Sequence, residues 1–341
     1  MMNQEYQHTE VVIIGAGPAG SVCANQLRKA GIDCVLVDFA TFPREKVCGG
    51  GLTPKAYRLL GELMPDFKYE YRSVQRVRLQ MGVKCLGEIM PTHELRIVNR
   101  KDFDYALLQR YLQQGGVFVQ DSFSRFEEQA DGRLLVTLRS GRQLLCKYLI
   151  AADGANSRVR KQLLGDYHGN VLFMEQYVEP QKDAIMGSVS NDFPNGYFYW
   201  FPSIGHDVVG FGDKLLASPV RFRKILRQFG VEETAFKGAN IPVEVVQSGR
   251  DNIMLVGDAG GFANSLSYEG IYYAMATGYH ASRAVIEHKP FSETNHDIFH
   301  RKRRERILTN IFYSRFGMII VRISCALNLR LVRRIFDSGL G

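Results

Sequence analysis

Paired cysteines and long apolar runs are absent from this sequence. Its six cysteines, Cys23, Cys34, Cys48, Cys85, Cys146 and Cys325, form no CxxC pair and show no metal-ligand spacing, so neither a disulfide framework nor a metal site is expected. No uncharged apolar run reaches the ~18 residues that a membrane-spanning helix needs. The opening residues are polar, and the apolar run after them, 11–14, is too short for the hydrophobic region of a secretory signal. These absences point to a cytoplasmic protein.

What is present suits a sizeable globular core. Hydrophobic residues make up 45% of the 341 positions and charged residues 23%, and a chain of this length is comfortable with two interleaved domains. The net charge of +8 is unevenly placed: residues 301–341 hold ten Arg/Lys against two Asp/Glu, which leaves the first 300 residues balanced at 33 of each sign. Nucleic acid is not an expected partner, because no nucleic-acid-binding motif accompanies the charge. The tail interleaves Arg315, Arg322, Arg330, Arg333 and Arg334 with Phe312, Phe316, Ile319, Ile320, Ile323, Leu327, Leu331 and Ile335. That mixture suits a basic amphipathic helix, which either lies on the inner face of an anionic membrane or packs on its own domain.

Along the chain, the β-branched run 11–14 stops at Gly15-Ala16-Gly17-Pro18-Ala19-Gly20 and gives way to a helical pattern over 21–30. A second apolar strand, 34–37, then ends in Asp38. Strand, glycine turn, helix, strand and terminal acid together form a dinucleotide-binding fingerprint. Gly15 permits the turn, Gly17 admits a pyrophosphate to the backbone, Gly20 lets helix and strand approach, and the helix N-terminus offers free N–H groups to phosphate. The fingerprint alone does not separate FAD from NAD. Helical patterns recur over 52–64, 100–114 and 269–287. Strand patterns run through 73–87, 95–99, 117–150 and 183–212, and a buried strand, 253–256, enters Gly257-Asp258.

Three ordered segments resemble the FAD-binding side of the para-hydroxybenzoate hydroxylase superfamily. They are the fingerprint itself, Asp153-Gly154-Ala155-Asn156-Ser157-Arg158-Val159-Arg160, which is similar to its DGxxSxxR segment, and Gly257-Asp258-Ala259-Gly260-Gly261, similar to its GDA segment and followed by Glu269-Gly270-Ile271. Arg100, just ahead of Phe103-Asp104, sits where that superfamily places an arginine over the cofactor. Two further segments narrow the resemblance to the geranylgeranyl reductase family. Pro43-Arg44-Glu45-Lys46-Val47-Cys48-Gly49-Gly50-Gly51-Leu52 is similar to its PxxKxCGGGL signature, and Tyr197-Phe198-Tyr199-Trp200-Phe201-Pro202 to its YxWxFP segment, with Tyr199 in place of tryptophan and Trp200 one position later. Where the family often reads NPLTGEG, this chain has Asn264-Ser265-Leu266-Ser267-Tyr268-Glu269-Gly270.

The resemblance implies an α/β fold of the α+β kind. A Rossmann-like FAD-binding domain (1–72, 98–168 and 249–290) carries an inserted antiparallel β-sheet substrate domain (73–97 and 169–248), and a basic helical segment follows (291–341). It implies FAD held by Gly15, Gly17, Ala19, Gly20, Asp38, Arg44, Lys46, Cys48, Gly49, Gly50, Arg100, Asp153, Gly257, Asp258, Gly270 and Ile271. An apolar or lipid substrate would meet Tyr197, Tyr199, Trp200, Phe201, Phe262 and Tyr268. Cys48 is the catalytic candidate, since the glycines leave its thiol little cover and let backbone N–H groups converge on it. The implied reaction is hydride transfer from reduced flavin to a carbon–carbon double bond of a polyprenyl lipid. No second GxGxxG marks a nicotinamide domain, so both NAD(P)H and an electron-donor protein such as reduced ferredoxin stay open as the external reductant. A flavin-dependent monooxygenase is the enzymatic rival. A non-catalytic, membrane-docked redox sensor is the other alternative, and a WxWxIP halogenase segment is absent.

Overall fold

The computed structural model describes residues 6–327 and 329–340. Of the side chains in the tail pattern, those of Arg315, Arg322, Leu327, Leu331 and Ile335 lie outside the described residues. The strand Val11–Ile14 is the centre of a five-stranded parallel sheet, ordered Ile253–Leu255, Tyr148–Ala151, Val11–Ile14, Cys34–Asp38 and Val117–Gln120. Strands covered on both faces read as unbroken apolar runs, and alternation divides their side chains. Val12, Ile14, Val35 and Val37 pack against the antiparallel strands Phe123–Glu128, Leu134–Leu138 and Gln143–Cys146. Val11, Ile13, Cys34 and Leu36 pack beneath the helices Pro18–Lys29, Arg100–Gln113 and Ile271–Ile286. The nucleotide half is therefore three layers deep, a meander on one face of the sheet and helices on the other.

The second half is a seven-stranded sheet ordered Phe236–Pro242, Asn170–Val178, Asp207–Asp213, Phe193–Pro202, Ile185–Ser190, Val77–Met81 and Lys84–Ile89. Every pairing in it is antiparallel except that of Ile185–Ser190 with Val77–Met81. The expected antiparallel insert is present, with one parallel pairing inside it. The two parallel strands are joined by a long excursion through the nucleotide half, and parallel neighbours need such a crossover. The segment 73–97 divides between this sheet and a small one in which Leu95–Ile97 pairs with Gly51–Leu52 and Arg72–Val74. One face of the large sheet is closed by the helix Pro219–Gln228, which Ser218 caps by accepting the Arg221 N–H. Phe222, Ile225 and Leu226 of that helix meet Phe198, Trp200 and Phe211. The other face, carrying Phe173, Tyr197 and Tyr199, turns toward the nucleotide half.

The described tail is mostly helical, as Phe291–Thr294, His296–Phe312, Arg315–Leu327 and Leu329–Leu340. Its last helix lays Leu329, Val332 and Phe336 on Val77, Ile89, Leu95 and Ile97, and Thr92 Oγ1 donates to Asp337 Oδ2 at 2.7 Å. Among the described residues no helix is long and apolar enough to cross a membrane.

Candidate active site

A single cavity of about 2250 Å³ runs from the glycine turn, between the two halves, to the tail helices. Ligand pockets usually measure ~300–1,000 Å³, so this one has room for a dinucleotide and a second, apolar molecule together. Its nucleotide end is built as the fingerprint requires. Gly15 sits at φ +105°, and a Cβ there would lie 2.2 Å from the Ala152 carbonyl oxygen; a Cβ on Gly20 would lie 1.8 Å from the Gly15 carbonyl oxygen. Those two glycines are needed by the chain's own packing. Gly17 is not: the nearest atom to a Cβ there is an Arg44 nitrogen at 3.6 Å. Gly154 has nothing within 4 Å, and Gly270 only Asp258 Oδ1 at 3.6 Å. All three line the same cavity, so open glycine backbone surrounds the space that a pyrophosphate and its sugar would fill. The residues fit FAD on this test.

Asp38 closes the turn from below. Its Oδ2 accepts the Ala16 N–H at 2.7 Å and its Oδ1 the Ala40 N–H at 2.9 Å, each oxygen keeping a lone pair for a ribose hydroxyl. Asp153 Oδ2 accepts the Arg158 N–H at 2.8 Å and so caps the helix Arg158–Leu164. Arg160 joins the two motif loops, donating to the carbonyls of Asp258 at 3.1 Å, Ala259 at 2.9 Å and Ala155 at 2.5 Å. Gly257 donates its N–H to Thr277 Oγ1 at 2.8 Å, Ala19 packs against Gly257 and Gly278, and Gly270 precedes the buried Ile271 at the start of Ile271–Ile286.

The cysteine-glycine segment lies where the nucleotide end meets the apolar end. Gly50 is at φ +72°, and a Cβ on it would lie 2.0 Å from the Val98 carbonyl oxygen; a Cβ on Gly49 would lie 2.7 Å from the Phe201 ring. The glycines thus let the chain pass between strand backbone and an aromatic face, and they hold Cys48 on the cavity wall. Arg100 grips Asp104 with two hydrogen bonds, 2.9 and 2.8 Å, and Arg44 approaches the same carboxylate at 3.2 Å. Burial works against the Arg100 charge, but Asp104 and Cys48 outweigh it and raise the guanidinium above its ordinary range. Lys46 lines the same wall.

Of the six aromatics expected at the substrate, Tyr197, Tyr199, Phe201 and Tyr268 line the cavity. Trp200 does not: strand alternation points it to the opposite face, where it packs with Phe198 and Phe211 and donates its Nε1–H to Asp207 at 2.8 Å. Phe262 is also elsewhere, fully buried against Tyr273, Ile298 and Phe299 under the tail. Tyr268 takes a left-handed backbone at φ +56° and packs its ring, tilted by 58°, 4.7 Å from Phe173, with its hydroxyl donating to the Asn195 carbonyl at 2.9 Å. Ser265 uses what a proline could not offer: its N–H donates to Glu305 Oε1 at 2.5 Å. Glu305 and Lys302 are buried beneath this loop, and the Lys302 ammonium also donates to the Ala263 carbonyl.

One residue absent from the motif reading faces the reaction space. Glu175, buried on the strand Asn170–Val178, accepts the Cys48 N–H on Oε1 at 2.7 Å and the Tyr199 hydroxyl on Oε2 at 2.9 Å. Burial pushes its carboxyl above the usual range, against the pull of the Tyr199 hydroxyl, the Cys48 amide, Lys46 and Arg100. A lone acid within the apolar run Val-Leu-Phe-Met-Glu was the signal available in the sequence. Among the described residues no cluster of His, Cys, Asp and Glu could hold a metal ion.

Fold and cavity together define a dinucleotide-binding protein whose nucleotide half and aromatic-lined half share one space. Residues 8–179 match the FAD binding domain family model, and the chain belongs to that family of FAD-dependent oxidoreductases. It is 29% identical over 301 residues to the geranylgeranyl diphosphate reductase of Rhodobacter capsulatus, covering 81% of this chain and 75% of that protein. It is 28% identical over 306 residues to the menaquinone reductase of Mycobacterium tuberculosis, covering 79% and 74%. A geranylgeranyl bacteriochlorophyll reductase-like protein from Thermoplasma acidophilum shares the fold at TM-score 0.71 and 19% identity, over 98% of this chain and 91% of that one. The halogenase PltM, solved with FAD, has the same TM-score, 0.71, at 16% identity over 97% and 85%, so the fold alone does not choose the reaction.

Proposed function

We propose that this protein reduces carbon–carbon double bonds of a polyprenyl, geranylgeranyl-type lipid. The observation that carries this reading is the position of the Cys48-Gly49-Gly50 segment, set between the glycine-lined nucleotide end and an apolar wall of Tyr197, Tyr199, Phe201 and Tyr268. The names of two relatives, geranylgeranyl diphosphate reductase and menaquinone reductase, support it, since both molecules carry polyprenyl chains. Bound in the cavity, FAD in its reduced form supplies a two-electron donor to the double bond.

The chain's own residues supply the rest. The aromatic wall excludes water and lays an extended apolar chain along the cavity. Adding hydrogen across a double bond takes a proton as well as a hydride, and Glu175 is placed to hold one, buried and linked to Tyr199 and to the Cys48 amide. Its raised affinity for a proton suits a general acid. As the proton leaves through the Tyr199 hydroxyl, the carboxylate that remains keeps two donors on its oxygens, that hydroxyl and the Cys48 amide. NAD(P)H or a reduced ferredoxin completes the cycle as external electron donor.

The test is product analysis. Incubation of the FAD-loaded protein with a geranylgeranyl lipid and dithionite is expected to give a product heavier by two hydrogens for each bond reduced. A hydroxylated product under air, with no saturated one under anaerobic conditions, would replace this reading with a monooxygenase.

A further inference from the structure

The described tail helices expose a stripe that a protein in water ordinarily buries. On Arg315–Leu327, Phe316, Ile319, Ile320 and Ile323 fall at i, i+3, i+4 and i+7, the spacing of one helical face. That face points outward, with these side chains 69%, 54%, 43% and 51% exposed. On the preceding helix, Ile307, Leu308 and Ile311 are 64%, 60% and 51% exposed. Solvent-facing apolar patches of this kind mark interaction sites.

Two further observations say what covers this one. The first is charge: Arg303, Arg304 and Arg306 precede the Ile307 group, and Arg330 and Arg334 follow the Ile323 group. All five are exposed and, among the described residues, none has a carboxylate partner. The second is continuity: Ile307, Leu308, Ile311 and Ile320 line the cavity as well as the surface. These four side chains therefore belong both to the exposed apolar face and to the wall of the cavity.

We infer that this tail face docks on an anionic lipid bilayer and forms the port through which a lipid passes from the membrane into the cavity. The isoleucines enter the acyl boundary and the arginines meet lipid phosphates. The port part of this inference rests on the proposed lipid substrate; the docking part does not.

The test uses the FAD-loaded full chain and sedimentation with vesicles of phosphatidylcholine, with and without phosphatidylglycerol. Binding is expected to be at least tenfold stronger with phosphatidylglycerol and to weaken as salt rises. The double variant Ile319→Asp, Ile323→Asp alters exposed side chains that do not line the cavity, and it is expected to weaken binding by tenfold or more. The control Leu215→Asp, at a residue 73% exposed on the other domain, should bind as the parent does. Absence of vesicle binding overturns the inference, as does binding indifferent to the isoleucine pair. A tail-dependent dimer that falls apart in the double variant would also overturn it, showing a second copy as the occupant. Sedimentation reads no turnover, so a failed product analysis alongside intact vesicle binding would refute the proposed reaction and leave the docking surface standing.

Discussion

Replacing Ser265 by proline should release the tail from the loop that faces the flavin. Glu305 Oε1 receives three donors: the Ser265 N–H at 2.5 Å, the Ser265 hydroxyl at 3.0 Å and the Lys302 ammonium at 2.6 Å. Proline removes the first two. A hydrogen bond to a charged group contributes roughly 1.5–3 kcal/mol, and a buried charge left short of donors costs its desolvation as well, so Ser265→Pro should destabilise by about 3–6 kcal/mol. Ser265→Ala keeps the N–H and loses the hydroxyl with its 2.8 Å link to Thr309, an expected loss of about 1–3 kcal/mol. Urea unfolding measures the two losses. Hydrogen exchange across the helix His296–Phe312 shows where they fall: protection there should drop sharply for proline and little for alanine. Equal destabilisation, or a proline variant whose tail helix stays fully protected, would refute the claim that this amide holds the tail on the loop.

The other predictions concern the cavity. Gly17→Ala should weaken FAD binding at least ~tenfold while leaving urea unfolding of the flavin-free protein unchanged, because only the Arg44 nitrogen, at 3.6 Å, is near. Gly20→Ala, blocked by backbone at 1.8 Å, should destabilise the flavin-free protein itself. Glu175→Gln should cut the rate of lipid reduction ~100-fold or more, read in a single turnover from pre-reduced enzyme. The Glu175 carboxyl is raised in the fold, so its contribution to stability is complete below the unfolded value and is lost as pH rises through the folded one. The glutamine variant should lose that decline with rising pH in a series of unfolding measurements. Tyr268→Gly gives up an aromatic packed 4.7 Å from Phe173, worth ~3–5 kcal/mol on truncation, and recovers the ~1–2 kcal/mol of left-handed strain. It should destabilise by a few kcal/mol in urea unfolding and lower KM for bulkier lipids.

Much of the nucleotide half was legible in the sequence, because a parallel strand buried on both faces and a turn that needs glycine each leave a local mark. The run 11–14, Gly15 and Gly20 carry their reasons within a few neighbouring positions. The aromatic half was legible only in part. Reading Tyr197 to Phe201 as one motif placed Trp200 beside its neighbours, whereas the two-residue period of a strand sends it to the other face and into Asp207. Glu175 left a weak mark because its partners, Cys48 and Tyr199, lie 127 and 24 residues away. Phe262 follows directly on the flavin motif, yet it turns to the tail because Tyr273 and Phe299 enclose it. Lys302 and Glu305 carry no local mark of burial; the fold buries both, with burial lowering the lysine's affinity for its proton and Glu305 opposing that. The helices Arg158–Leu164 and Pro219–Gln228 went unread, since short helices between strands show little periodicity.

The account's central claim is that one cavity joins a reduced flavin to a polyprenyl chain. Its most direct test is anaerobic: the flavin is reduced with a stoichiometric amount of dithionite, a geranylgeranyl lipid is added in detergent, and the absorption spectrum is followed. Return of the oxidised flavin spectrum without oxygen, at a rate that Glu175→Gln depresses, is the predicted result. A flavin that stays reduced until air is admitted would contradict the claim.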